Sequence, residues 1–133
     1  MGTRAVFTFK DEDQSFSVYT QYDGCPEGAA EFLTKALPFA WQLPRFEPDE
    51  FAAAFVAANK KDEGCFRLTT GPDAHSDLAY EYEIFQAKNK QMIIKTSNGF
   101  YGRLKDFVRE YGNKQDRKLW NAMVPSANPL EVK

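Results

Sequence analysis

Cysteine and histidine, the side chains that most often hold metals or serve as nucleophile and base, are scarce here: two cysteines and one histidine in 133 residues. Cys25 and Cys65 stand 40 positions apart and neither belongs to a Cys-x-x-Cys pair, so no zinc site is spelled out and no metal is expected. Long apolar runs are missing as well. No stretch approaches the roughly 18 apolar residues that span a bilayer, which excludes a transmembrane helix. Met1-Gly2-Thr3-Arg4 leads into an alternating pattern without the apolar segment of a secretory signal, so the expected compartment is the cytoplasm. In that compartment two cysteines read as reduced thiols rather than as a disulfide. Excess positive charge is lacking too: the net charge is −2 and the pI near 5.5. The molecule therefore has no overall field of the kind that drives non-specific nucleic-acid binding. Gly99-Phe100-Tyr101-Gly102-Arg103 has neither the dinucleotide-binding glycine spacing nor the Walker lysine, and no cofactor is implied.

What is present fits one domain over residues 1–133, with a core in 1–112 and a partly docked extension in 113–133. The length, with 43% hydrophobic and 27% charged residues, suits a single core. Charge is unevenly placed. Residues 1–66 carry eleven acids and six bases, net −5, whereas residues 67–133 carry eight acids and eleven bases, net +3. Much of the basic excess lies in Arg103, Lys105, Arg109, Lys114, Arg117 and Lys118, a set that would steer the C-terminal segment toward an acidic partner. Solvated helix faces carry charge in the same way.

Ala5–Lys10 and Phe16–Tyr22 alternate with period two and are rich in aromatic and β-branched residues, as half-buried strands are, and the polar run 11–15 reads as their hairpin connection. Pro26 suits the first position of a helix, and Phe32, Leu33, Ala36 and Leu37 form one apolar stripe that Pro38 closes. Phe39, Trp41 and Leu43 argue for a packed connection. A second helix begins at Pro48 with acids in its first turn and runs to about Asn59, presenting Phe51 and Phe55 to a sheet. Residues 65–70, 78–86 and 91–97 read as three further strands, followed by a helix from about Tyr101 to Tyr111 with Gly112 as its C′ residue. Leu119–Val124 offers one more helical turn for docking. The order ββααβββα, with short connections between consecutive strands, predicts an α+β fold: an antiparallel sheet of about five strands with helices packed on one face.

Met1-Gly2-Thr3-Arg4, and Tyr22-Asp23-Gly24-Cys25-Pro26-Glu27-Gly28 after the second strand, carry a resemblance. The chain resembles a group of small bacterial and phage proteins that begin Met-Gly-Thr-Arg and continue through a strand into Asp-Gly-x-Pro-x-Gly. In that group tryptophan usually precedes the aspartate, where this chain has Tyr22, and tyrosine usually stands at the position of Cys25. The likeness spans about the first two-thirds of the chain. It implies a shared fold and a mobile-element setting, and brings no activity with it.

Three functional readings follow. The first is a non-catalytic phage or mobile-element interaction protein that binds and modulates a host protein or a protein–nucleic-acid complex, a host-defence (anti-CRISPR type) inhibitor being one such role. Its contact residues would be Tyr101, Arg103, Lys105, Arg109, Arg117, Lys118 and Trp120, since aromatics and arginine dominate interface hot spots. The second is a small hydrolase or transferase in which Cys25, His75 and Asp23 or Glu27 converge. Here Asp23 would otherwise cap the helix and His75, between Asp73 and Asp77, would sit in a solvated loop. The third is a single-stranded nucleic-acid binder that stacks bases on Phe7, Phe9, Tyr19, Tyr80 and Tyr82; the net negative charge counts against it, and no sequence-specific nucleic-acid contact is expected.

Overall fold

A computed structural model describes residues 2–63 and 66–124. The first hairpin forms from β1 (Ala5–Lys10) and β2 (Ser15–Thr20), with Phe7 opposite Val18 and Phe9 opposite Phe16. Asp11 closes its turn by accepting the backbone N–H groups of Asp13 and Gln14 through Oδ1. The chain then makes α1 (Pro26–Ala36) and a 3₁₀ turn (Leu37–Phe39), followed by α2 (Pro48–Glu63). Pro26 stands at the start of α1 as its spacing predicted, but the N-cap is Cys25, not Asp23, and its thiol makes no capping bond. Of the three apolar residues in the connection only Leu43 is buried. Phe39 is 56% exposed, and Trp41, 40% exposed, lies under the Arg45 guanidinium 3.8 Å from its ring centre.

The remaining elements are β3 (Phe66–Thr69), β4 (Tyr80–Gln86), β5 (Met92–Thr96), β6 (Tyr101–Arg103), α3 (Leu104–Tyr111) and α4 (Lys114–Met123). The class is α+β, but the sheet has six strands in the order β3-β2-β1-β4-β5-β6, and it is mixed rather than antiparallel. β4 lies parallel to β1, Phe7 beside Tyr82. The reason is the connection after β3. It carries no α-helix, only a short 3₁₀ turn at Pro72–Ala74, so it reads locally as a hairpin loop; in space it crosses β2 and β1 and delivers β4 to the far side of β1. The sixth strand is the start of the expected last helix. Tyr101–Arg103 pairs with β5 before the chain turns helical at Leu104.

Pleating sorts the side chains. Ala5, Phe7, Phe9, Val18, Phe66, Tyr82, Ile84 and Ile94 share one face and are buried beneath the helices. Phe55 of α2 is the hub of this core, with ring centres of Phe7, Phe9, Phe66 and Phe32 at 4.8, 5.2, 5.6 and 6.4 Å. Phe107 of α3 meets Tyr82 edge-on. The opposite face carries Thr8 hydrogen-bonded to Ser17 and Lys10 paired with Glu83, and it is where the β3–β4 connection crosses. α4 opens with a capping box in which its N-cap Asn113 and Asp116 of its first turn each accept the other's backbone N–H. Gly112 ends α3 in an extended conformation rather than the left-handed one expected of a C′ glycine. A Cβ there would stand 2.6 Å from the Val108 carbonyl, so glycine is required by the close approach of α3 to the turn.

Candidate functional site

The segments 2–4 and Tyr22–Gly28 touch each other. Gly24 donates its backbone N–H to the Thr3 carbonyl at 2.9 Å, and the buried Tyr82 hydroxyl donates to the Gly24 carbonyl at 2.7 Å. A Cβ on Gly24 would lie 2.5 Å from that of Ala5; one on Gly2 would strike the Gln21 carbonyl, and one on Gly28 the Asp23 carbonyl. The glycines of both segments are thus explained by backbone packing around the end of β1. Asp23 itself adopts a left-handed conformation (φ 60°), a turn geometry that aspartate tolerates, and its side chain is exposed.

Beside this turn lies a cleft of about 380 Å³, whose lining includes Asp23, Cys25, Glu27, Glu31, Asn59 and Tyr111. It offers carboxylates and a half-buried free thiol. It offers no imidazole. His75 lies on the other side of the sheet, where its ring stacks on Tyr19 with centres 4.3 Å apart and Nε2 is 2.8 Å from the Thr69 hydroxyl. Tyr19 alternates with Val18, which faces the helices, whereas Cys25 caps a helix packed on Val18's side. The fold therefore brings Asp23, Cys25 and Glu27 to one cleft and leaves His75 outside it. His75 instead holds down the β3–β4 connection, together with the Arg4–Asp77 ion pair at 3.0 Å. The loop placement expected for it is right, but the ring is half-buried rather than solvated. Among the described residues no three His, Cys, Asp or Glu side chains are grouped to hold a metal ion. Cys65 falls outside the described residues.

Tyr82 is the most perturbed titratable group near the cleft. Burial pushes its phenol pKa far up, and Cys25, Tyr80, Glu27 and Tyr111 act in the same direction. The hydroxyl is held neutral as a hydrogen-bond donor to the turn.

The basic C-terminal residues converge more closely. Lys105 and Arg109, one turn apart on α3, line a groove of about 310 Å³ with Arg117 and Asn121 of α4, and Val108 and Trp120 supply its apolar lining. Trp120 is buried, so its ring belongs to the groove wall rather than to an exposed patch. Arg103 and Arg109 hold Asp106 from two sides, at 2.8 and 2.5 Å. Arg117 donates to the Gly112 carbonyl at 2.7 Å, which fixes its reach across the α3–α4 turn. Lys105 is half-buried, and among the described residues its ammonium has no hydrogen-bond or ionic partner. Lys118 is exposed on α4 outside the groove, and Tyr101, 65% exposed, stands on the edge strand β6.

Sequence reading did not single out Val108, Asn121, Asn59 or Tyr111 as site residues. Val108 and Tyr111 follow the apolar spacing of α3 and read as core, while Asn59 and Asn121 carry no local signal at all. The stacking platform fails on burial: Phe7, Phe9 and Tyr82 are fully enclosed on the helix side, and Tyr19 is buried beneath His75. No helix of the described residues is long and apolar enough to cross a membrane. Set against protein-family models, curated proteins and solved structures, the chain finds no match.

Proposed function

We propose that this chain is a non-catalytic interaction protein of phage or mobile-element type that binds and modulates a host protein or a protein–nucleic-acid complex. Inhibition of host defence is one role within that class. The reading is carried by the groove between α3 and α4, where Lys105, Arg109 and Arg117 meet around an apolar wall containing Trp120. Cations over buried aromatic surface form a common hot-spot combination in protein interfaces. The alternative, a cysteine and histidine enzyme, has less behind it, because the sheet stands between Cys25 and His75.

The test is affinity capture from a lysate of the native host with three baits: the native chain, Lys105→Glu/Arg109→Glu and Cys25→Ser. One dominant partner retained by the native and Cys25→Ser proteins and lost by the charge-reversed one is the expected result. A partner held equally by all three, or held by none, overturns the assignment of this groove.

A further inference from the structure

The chemistry of the α3–α4 groove narrows the partner, and this inference rests on the interaction reading above. We infer that the groove receives an acidic amphipathic helix of a partner protein, with two carboxylates one turn apart flanking an apolar side chain. Three observations lead there. Lys105 and Arg109 are four residues apart on α3, about 6 Å along the helix axis, the spacing at which a facing helix presents residues i and i+4. Val108 and Trp120 line the same groove, and the small edges that these buried side chains leave accessible suit an apolar side chain at i+3.

The charge is also uncommitted. Asp106 is the acid that faces these cations, and Arg103 shares it with Arg109, so the pair of arginines keeps one net positive charge. Lys105 adds a second, half-buried and without a partner among the described residues. Arg117 adds a third, anchored by one guanidinium nitrogen and free to offer the others.

A nucleic-acid backbone fits less well. It requires a track of cations along its length, whereas the groove holds three around a volume of about 310 Å³. Glu110 is exposed on the same helix as Lys105 and Arg109, and Asp23, Glu27 and Glu31 surround the neighbouring cleft.

The probe is a synthetic helical peptide carrying glutamates at i and i+4 with leucine at i+3. It is titrated into Trp41→Phe protein and read by selective tryptophan excitation, so that Trp120 is the sole tryptophan reporting. The same peptide with glutamines and a single-stranded oligothymidine are run beside it. The expected result is saturable quenching by the glutamate peptide alone, weakened at least tenfold in Lys105→Gln/Arg109→Gln. Binding of a lysine-substituted peptide to Lys105→Glu/Arg109→Glu would add support that loss of folding cannot mimic. Tighter binding of the oligothymidine, or equal binding of the glutamine peptide, overturns the inference. So does absence of quenching by every probe. If the capture experiment still yields a partner that depends on Lys105 and Arg109, the interaction reading stands and only the identity of its occupant falls.

Discussion

Replacing Tyr82 with phenylalanine removes a single hydroxyl from the point where β4 holds the Tyr22–Gly28 turn. The ring is 0% exposed and stacks on Phe7 at 4.8 Å, contacts that phenylalanine keeps. What disappears is the 2.7 Å hydrogen bond to the carbonyl of Gly24, a buried residue. An acceptor left without its donor costs about 1–3 kcal/mol at neutral pH. The pH dependence is more telling. Burial holds the phenol of folded Tyr82 far above its ordinary pKa, and the unfolded phenol titrates near about 10. Above that pH the unfolded chain releases a proton that the folded chain keeps. The contribution is therefore complete below about pH 10 and is lost as pH rises beyond it. At about pH 11 the unfolded state gains about 1.4 kcal/mol from this one group. The other tyrosines are common to both proteins and cancel in the comparison. Urea unfolding followed by far-ultraviolet circular dichroism at about pH 8 and pH 11 should show the gap between native and Tyr82→Phe protein narrowing by about 1.4 kcal/mol. A gap that stays constant or widens refutes the account of how this turn is held.

Gly28→Ala places a methyl group against the Asp23 carbonyl and should cost about 1–3 kcal/mol, read as a lower urea midpoint with an unchanged slope. Phe55→Ala empties the hub of the aromatic core, which should cost about 3–5 kcal/mol and lower Tm by roughly 10–20 °C in a calorimetric scan. Asp116 is buried, and desolvation raises its carboxyl pKa despite the Asn113 N–H that it accepts. Ionised Asp116 thus weakens the fold above its folded pKa, a penalty that vanishes below about pH 3.9. Asp116→Asn, which keeps an acceptor for the cap, should match or exceed native stability near neutral pH and lose that advantage in acid. Asp116→Ala should be weaker by about 0.5–2 kcal/mol at every pH, and denaturant titrations across the acid range separate the two.

Elements with a local signature were legible. Alternation marked β1 and β2 within two residues of their ends, and the spacing of Phe51 and Phe55 marked both α2 and the face it turns to the sheet. Pairing was not legible, because it depends on how far the chain travels between elements. The β3–β4 connection is short enough to read as a loop, and nothing within it records that it passes beneath two strands. The same crossing decides where His75 sits. In sequence it lies in a polar loop between two aspartates; in space it is a half-buried ring stacked on Tyr19, on the far side of the sheet from Cys25.

Glycine shows the same division in the candidate site. Gly24 and Gly28 stand out in the sequence as turn formers beside the start of a helix. Only the position of Thr3, Ala5 and Tyr82 around Gly24, and of the Asp23 carbonyl against Gly28, shows that close packing within this chain accounts for both glycines. The basic groove is the converse case. Lys105 and Arg109 are marked as neighbours by helical spacing alone, but Arg117 and Trp120 join them because α3 stops at Gly112 and the Asn113–Asp116 box restarts the chain in a new direction. Each of those two features serves the short turn: Gly112 by admitting the Val108 carbonyl where a Cβ would collide, Asn113 by accepting the Asp116 N–H in the first turn of α4. A site assembled by a turn of this kind is visible in sequence only as its separate halves, and its chemistry begins where the halves meet.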